Sequence, residues 1–158
     1  TPELYMLLRR SLADLGLAAS SAKNAYQRKR PFMVNEQPIC TPEEEEALRE
    51  NGSYPSGHTA IGWGWALILS ELVPDRAEAL LNRGRAYGES RNVCNVHWRS
   101  DVDAGRLVGA AAVARLHTNE DFLTAMTAAR EEISNLKAKI PVPELDCALE
   151  GQVLGATH

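Results

Sequence analysis

Apolar residues recur at steps of three and four along most of the chain, and this spacing is typical of amphipathic helices. The first run predicts one helix over residues 2–27, with an apolar face made of Leu4, Leu7, Leu8, Leu12, Leu15, Ala18, Ala22 and Tyr26. Further helices are predicted over residues 42–50, 58–72, 75–90, 100–117 and 119–136. No stretch alternates apolar and polar residues with a period of two, so the pattern predicts an all-α fold.

The length of 158 residues suits a single domain with one core. We expect a helical-bundle domain over residues 1–140. From Pro141 the periodicity ends, and residues 141–158 are predicted to form an irregular C-terminal tail.

Charge and hydropathy exclude two classes of partner. The net charge of −4 argues against a nucleic-acid-binding surface, which normally carries a basic stripe. The longest apolar run, residues 61–69, is far shorter than the roughly 20 residues that a membrane-spanning helix needs. We therefore expect a soluble protein that binds neither nucleic acid nor membrane, and any anion site must be a local basic pocket.

The N-terminus and the cysteines bear on the cellular compartment. The chain opens at Thr1 without a leader, so either a signal peptide has been removed or the N-terminal part of a longer protein is absent. Of the three cysteines, Cys40 and Cys94 lie near motifs, and we predict that they pair and leave Cys147 free. Three reduced thiols are an equally good interpretation, because spacing alone establishes no pair.

A turn that can bind an anion precedes the predicted helix at residue 58. In Pro55-Ser56-Gly57-His58 the N–H groups lie at a helix N-terminus, glycine allows close approach of a ligand, and Ser56 adds a hydroxyl. The alternative is a serine N-cap beside an incidental histidine.

His97 and Asp101 are four residues apart, so their side chains can meet on one helical turn. A carboxylate bonded to one ring nitrogen fixes the tautomer and leaves the other nitrogen as a nucleophile. A simple surface contact is the alternative. Asp103, six residues from His97, falls on a different face.

Three cations complete the set: Lys23, Arg30 and Arg91. Lys23 and Arg30 are seven residues apart and would share one helix face if the first helix continued to Arg30. Arginine matches phosphate oxygens bidentately, and lysine adds a point charge. The other cations nearby are interpreted as solvated bases: Arg28, Lys29 and Arg99.

The remaining histidine of the motifs, His58, is the candidate general acid. In a phosphoryl transfer it would protonate the leaving oxygen, on the side of phosphorus opposite a nucleophilic His97. His117 and His158 have no motif around them and are interpreted as structural or surface residues. Core packing is the default for Trp65, and Trp98 is left open. No metal-ligand spacing and no P-loop is present, so we expect phosphate chemistry without metal or other cofactor.

The three clusters resemble the three-part motif of the type 2 phosphatidic acid phosphatase superfamily, which includes bacterial class A non-specific acid phosphatases and vanadium haloperoxidases. The matching positions are Lys23, Arg30, Pro31, Pro55, Ser56, Gly57, His58, Ser90, Arg91, His97 and Asp101. The run from Gly52 to Thr59 resembles the class A acid phosphatases in particular. The similarity extends from about Pro2 to about Lys137.

This resemblance implies a periplasmic acid phosphatase that hydrolyses phosphomonoesters without a metal and can pass the phosphoryl group to alcohols. It implies a phosphohistidine at His97 oriented by Asp101, with His58 as acid and then base. The phosphoryl oxygens would be held by Lys23, Arg30, Ser56, Gly57 and Arg91. Inorganic phosphate would be the product, and a homodimer is expected.

Class A enzymes carry a further N-terminal helical region, which we expect to be missing from this chain. Two alternatives remain open. A vanadium-dependent haloperoxidase would use the same residues to bind vanadate, with His97 as the ligand of the metal. A non-catalytic phosphate-binding module would need the cations but not the two histidines and the carboxylate.

Overall fold

The computed structural model describes residues 1–137, 149 and 152. Its α-helices are α1 (Pro2–Leu17), α2 (Ser20–Tyr26), α3 (Phe32–Asn35), α4 (Glu45–Arg49), α5 (Gly57–Leu72), α6 (Ala77–Val93), α7 (Arg99–Leu116) and α8 (Glu120–Lys137). Single 3₁₀ turns at Pro42–Glu44 and Pro74–Arg76 precede α4 and α6. Within the described residues there is no strand, so the predicted all-α fold is confirmed.

The prediction of one helix over residues 2–27 was wrong. The chain turns at Ala18 and Ala19, between α1 and α2. Gly16 and the serines that open α2 have lower helix propensity than the residues around them, which favours a break here. The second helix ends at Gln27, whose φ of 43° is left-handed, and Arg30 lies beyond it in an irregular segment.

Helix α5 is the centre of the bundle, and it packs against α1, α6 and α7, while α8 packs mainly on α1. The main core is a cluster of buried apolar side chains: Leu7, Leu15, Ile68, Leu72, Val113, Phe122, Met126 and Ala129. Trp65 packs against this cluster and donates Nε1–H to the Leu8 carbonyl at 3.2 Å, so its predicted core role is confirmed. The last helix is capped by Asn119, whose side chain accepts from the Phe122 N–H.

Glycines bring α7 into direct main-chain contact with α5. A Cβ at Gly109 would lie 2.5 Å from the Ala60 carbonyl oxygen, and one at Gly105 would lie 2.6 Å from the Ser56 carbonyl oxygen. These distances are shorter than any ordinary contact of a Cβ. The close approach therefore requires glycine, and it fixes the position of the turn before α5 relative to α7.

A second, smaller core holds the loops beside the bundle. Phe32, Ile39, Leu48 and Val96 are its buried members, and Cys94 packs against it. Cys40 and Cys94 form a disulfide across 54 residues of chain, which confirms the predicted pair. Cys147, predicted to be free, lies outside the described residues, as does most of the predicted tail.

None of the described helices is long and apolar enough to cross a membrane. An apolar hollow of about 270 Å³ lies between α5 and α6, lined in part by Trp65, Leu69 and Tyr87. No residue of the three sequence motifs lines it.

Replacing Gly109 with alanine should destabilise the fold. The new methyl group would meet main-chain atoms of Ala60, which cannot move aside as a side-chain end can. We expect Gly109→Ala to lower the free energy of unfolding by about 1–3 kcal/mol in urea titrations. Gly16→Ala is the matched control, because a Cβ there would meet only Ile61 Cδ1 at an ordinary 3.7 Å. Equal stability of the two variants would contradict this account of the α5–α7 contact.

Candidate active site

Lys23 and Arg30 reach the site from different elements rather than from one helix face. Lys23 is in the last turn of α2, and its ammonium donates to the Gly52 carbonyl at 2.7 Å. Arg30 comes from the segment after Gln27, immediately before Pro31, where the residue preceding proline is pushed out of the helical conformation. The two cations therefore converge after a reversal of the chain.

Arg30 is 2% exposed, and its guanidinium joins several segments. Nε donates to the Leu48 carbonyl at 2.7 Å, Nη1 to the Val96 carbonyl at 3.0 Å, and Nη2 to Asn51 Oδ1 at 2.5 Å. Nη1 also lies 3.1 Å from His97 Nε2. A buried guanidinium with these partners sets the position of the histidine beside it.

The turn before α5 carries Ser56, Gly57 and His58. Ser56 is fully buried and is the N-cap of α5, and its Oγ accepts hydrogen bonds from both the N–H and the hydroxyl of Thr59. The N–H groups of Gly57 and His58 belong to the first turn of the helix, where no intrahelical acceptor is available. Lys23 packs against Gly57, since a Cβ there would lie 3.7 Å from Lys23 Cε.

The third motif spans the end of α6 and the start of α7. Asn95 adopts a left-handed conformation with φ 60°, which asparagine tolerates. After this reversal, the N–H groups of Val96 and His97 both donate to the Arg91 carbonyl at 3.2 Å. The main chain of Arg91 thus holds the loop that carries His97.

His97 and Asp101 are paired in the interior, with side-chain exposures of 1% and 0%. His97 Nδ1 lies 3.4 Å from Asp101 Oδ2, and the same oxygen accepts the Trp98 N–H at 2.8 Å. Because the carboxylate accepts at Nδ1, this arrangement favours the tautomer protonated at Nδ1. Nε2 is then left with its lone pair, facing Arg30.

Arg91 has two guanidinium nitrogens without a partner among the described residues. Its Nε and Nη2 atoms are buried, and no hydrogen bond to them is formed within that part of the chain. Buried donors are normally satisfied, so such a group calls for an acceptor that the protein itself does not provide. The charge of Arg91 lowers the pKa of both Arg30 and His58, so the three side chains lie close enough to interact electrostatically.

Burial and mutual repulsion weaken the charged forms of the basic groups. Burial, followed by the charge of Arg30, lowers the pKa of Lys23 to about 8. Burial also lowers the pKa of His97 to about 4, with the charges of Arg30 and Lys23 adding to it and the hydrogen bond to Asp101 opposing it. His97 is therefore a neutral imidazole from mildly acid pH upward.

His58 occupies the exposed rim of the site. Desolvation at the crowded rim and the charge of Arg91 lower its pKa below 6.5, and Glu44 opposes the shift. The two histidines of the motifs thus differ in environment: His97 is buried and neutral, whereas His58 is accessible and exchanges protons at acid pH.

The structure brings together the eight residues predicted for the site, which are Lys23, Arg30, Ser56, Gly57, His58, Arg91, His97 and Asp101. Comparison with known proteins then shows the family of the chain. The sequence pattern of the PAP2 superfamily matches residues 4–124, which is more than half of the chain. The chain belongs to the PAP2 superfamily.

Similar proteins are bacterial acid phosphatases by name. The chain is 45% identical to an acid phosphatase of Zymomonas mobilis, over 94% of this chain and 57% of that protein. It is 47% and 48% identical to non-specific acid phosphatases of Providencia stuartii and Salmonella typhimurium. Those matches cover 86% and 92% of this chain, and 55% and 60% of the relatives. The chain thus spans somewhat more than half the length of these relatives.

Two residues of this PAP2 site were missed by sequence reasoning. Arg28, interpreted as a solvated base, instead binds Asp101 Oδ1 at 2.7 Å. Asn51, for which the sequence analysis predicted no role at the site, accepts a hydrogen bond from Arg30. Neither contact has a signal in sequence spacing, because both arise where separate segments meet.

The other residues considered from sequence lie outside the cluster. Arg99 is exposed and pairs with Glu89 and Asp103, as expected of a surface base. His117 bonds to the Val113 carbonyl and to Glu71, which confirms a structural role, and His158 lies outside the described residues. Within the part of the chain that is described, no group of three or more potential ligand side chains could hold a metal ion.

The different partners of Arg30 and Arg91 predict a large effect of one substitution and a small effect of the other on the stability of the PAP2 domain. Arg30→Ala would leave the acceptors at Leu48, Val96 and Asn51 unsatisfied, so we expect a loss of about 3–5 kcal/mol of stability. Arg91→Ala removes a guanidinium with two unpartnered nitrogens and relieves repulsion, so its free energy of unfolding should stay within about 1 kcal/mol of the parent.

Urea unfolding in phosphate-free buffer measures both variants under the same conditions. A large destabilisation by Arg91→Ala would show that its side chain has a structural role in the free protein.

Proposed function

We propose that this protein is a metal-independent acid phosphatase that hydrolyses phosphomonoesters through a phosphohistidine at His97. The observation that carries the proposal is the pair of buried, unpartnered donors of Arg91 in the same cluster as a neutral, carboxylate-oriented histidine. Such donors suit a phosphoryl group, because arginine matches its oxygens bidentately. A nucleophile and a proton donor belong to the same cluster, which favours catalysis over binding alone.

In the first step, the Nε2 lone pair of His97 attacks phosphorus, the N–P bond forms, and the P–O bond to the alcohol breaks. Asp101 keeps the proton on Nδ1 and stabilises the positive charge that develops on the ring. Protonated His58 gives its proton to the leaving oxygen. Arg30 Nη1, which lies 3.1 Å from Nε2 in the free site, would instead donate to a phosphoryl oxygen.

The cations and the turn would hold the three equatorial oxygens in the transition state. Lys23, Arg30 and Arg91 supply positive charge, and preorganised donors of this kind stabilise charge as it develops. Ser56 Oγ accepts both bonds from Thr59, so its own hydroxyl hydrogen is left to donate to phosphate. The Gly57 N–H adds a main-chain donor.

In the second step, neutral His58 takes a proton from water, and the resulting nucleophile attacks phosphorus as the N–P bond breaks. Inorganic phosphate leaves, His97 returns to its neutral tautomer, and His58 is again protonated. An alcohol in place of water would give a new phosphomonoester, so phosphotransfer belongs to the same mechanism.

We extend the proposal to the whole protein: residues 1–140 form the phosphatase domain, and the protein is a homodimer of the periplasm. The Cys40–Cys94 disulfide supports an oxidising compartment. Thiol titration of the denatured, unreduced chain should find one reactive thiol among its three cysteines. Three thiols in protein purified from the periplasm would contradict this part.

The pKa shifts predict an acid optimum. Activity requires neutral His97, so kcat/KM should rise with pH through about 4, the pKa of that ring. It also requires protonated His58, so kcat/KM should fall as pH rises through a pKa below 6.5. The negative charge of the bound substrate offsets the cations that lower the pKa of His58. The alkaline limb of kcat should therefore lie at higher pH than the alkaline limb of kcat/KM. A single limb, or an optimum above pH 7, would contradict this assignment.

The decisive assay compares hydrolysis of p-nitrophenyl phosphate at pH 5 in EDTA by the parent, His97→Ala and His58→Ala. We expect turnover by the parent and none by His97→Ala. In His58→Ala, p-nitrophenolate is a good leaving group and should depart without a general acid. The attacking water would lack its general base, so the phosphoenzyme should accumulate. Rapid quenching into alkali, in which phosphohistidine is stable, would detect it.

The controls separate the competing functions. Turnover that EDTA abolishes would overturn the metal-independent mechanism. Phosphate binding without turnover would identify a binding module, and vanadate-dependent oxidation of bromide would identify a haloperoxidase.

A further inference from the structure

We propose that Arg28 is a positioning residue of the reaction: it holds the Asp101 carboxylate ionised and in the orientation that fixes the tautomer of His97. This inference rests on the proposed function, because it concerns the same nucleophile. Arg28 itself touches no reacting atom. It lies between Lys23 and Arg30 and is not among the matching positions of the first motif.

The two oxygens of Asp101 have separate partners. Oδ2 accepts from the Trp98 N–H and faces His97 Nδ1, whereas Oδ1 accepts from Arg28 Nη1 at 2.7 Å. The carboxylate is fully buried, and Arg28 is the cation in direct contact with it within the described residues. Without Arg28, Oδ1 would lose that contact, and the carboxylate could rotate or take up a proton.

Arg28 is itself held in place by contacts from the third motif and from the segment just before the second. Its Nη1 also donates to Ser100 Oγ at 2.7 Å, and its guanidinium lies over the Trp98 ring, 5.4 Å from the ring centroid. Its main-chain carbonyl accepts the Ser53 N–H at 2.9 Å, three residues before Ser56. One residue therefore couples the turn that binds the anion to the carboxylate that orients the nucleophile.

The charges around Asp101 show why this contact matters at acid pH. Burial raises the pKa of Asp101, and the hydrogen bonds from His97 and Trp98 together with the charge of Arg28 bring it below 3.8. Lys23 and Arg30 also lie within electrostatic range of it. Loss of Arg28 leaves burial less opposed, so protonation of Asp101 moves toward the pH at which the reaction would run.

Arg28→Gln, Arg28→Lys and Arg99→Gln test the proposal together. Arg99 is the matched control, because it is also an arginine close to Asp101 in sequence but pairs with Glu89 and Asp103 on the surface. The pH profile of kcat is measured for each with p-nitrophenyl phosphate. In the parent the acid limb follows His97, whose pKa is about 4. In Arg28→Gln we expect protonation of Asp101 to become limiting, so that the acid-side pKa rises by about 1 unit and kcat at pH 5 falls about twofold, with a larger loss at lower pH.

Arg28→Lys retains a cation and should keep the acid limb near that of the parent, with a smaller loss of kcat. Arg99→Gln should leave the profile unchanged. KM should change less than kcat in Arg28→Gln, because Arg28 does not contribute to the phosphate cage. If Arg28→Gln lost activity with an unshifted acid limb, and Arg28→Lys failed to rescue it, Arg28 would be structural and the proposal would be overturned.

A second measurement does not depend on turnover. Nitrogen-15 spectra of the histidine rings report the tautomer of His97 in each folded variant as pH is lowered. We expect the Nδ1-protonated tautomer to be lost at higher pH in Arg28→Gln than in Arg99→Gln, and identical midpoints would overturn the inference. If the parent had no turnover that depends on His97, the proposed function would fail, and the spectra would still decide the role of Arg28 toward Asp101.

Discussion

The buried guanidinium of Arg30 is the interaction on which the assembled site depends. A buried cation must find acceptors, and this one finds them in segments that are distant along the chain: the end of α4, the following turn and the loop before His97. Unsatisfied donors in the interior are costly, so each of these bonds restrains a segment that has little core of its own. The small second core and the disulfide complete this support.

The same cations perform two electrostatic tasks that reinforce each other. In the free protein, Arg30 and Lys23 act with burial to keep His97 neutral, so the ring retains its lone pair. In the proposed reaction, the same charges would also attract the phosphoryl oxygens of the substrate. The chain as a whole carries a net charge of −4, so this group of cations is a local basic site in an acidic protein.

Helical periodicity predicted the fold class and most helix positions, and motif spacing selected eight residues that the structure brings into one cluster. They failed where tertiary contacts decide. The break between α1 and α2 depends on weak local propensity, and the convergence of Lys23 and Arg30 depends on a left-handed Gln27 that no periodicity indicates. Arg28 and Asn51 gained their roles from neighbours 73 and 21 residues away, so sequence spacing carried no signal for either.

The glycines of α7 have a mechanical consequence. Side chains at a helix interface can repack when helices slide, but main chain against main chain leaves nothing to rearrange. Gly105 rests on the Ser56 carbonyl, and the Ser56 N–H donates to the Asp101 main-chain carbonyl at 2.9 Å, so main-chain contacts hold the turn before α5 against the start of α7. These contacts restrain the spacing between the turn and α7, so we expect adjustment to ligands of different shape to fall to the exposed side chains at the rim of the site.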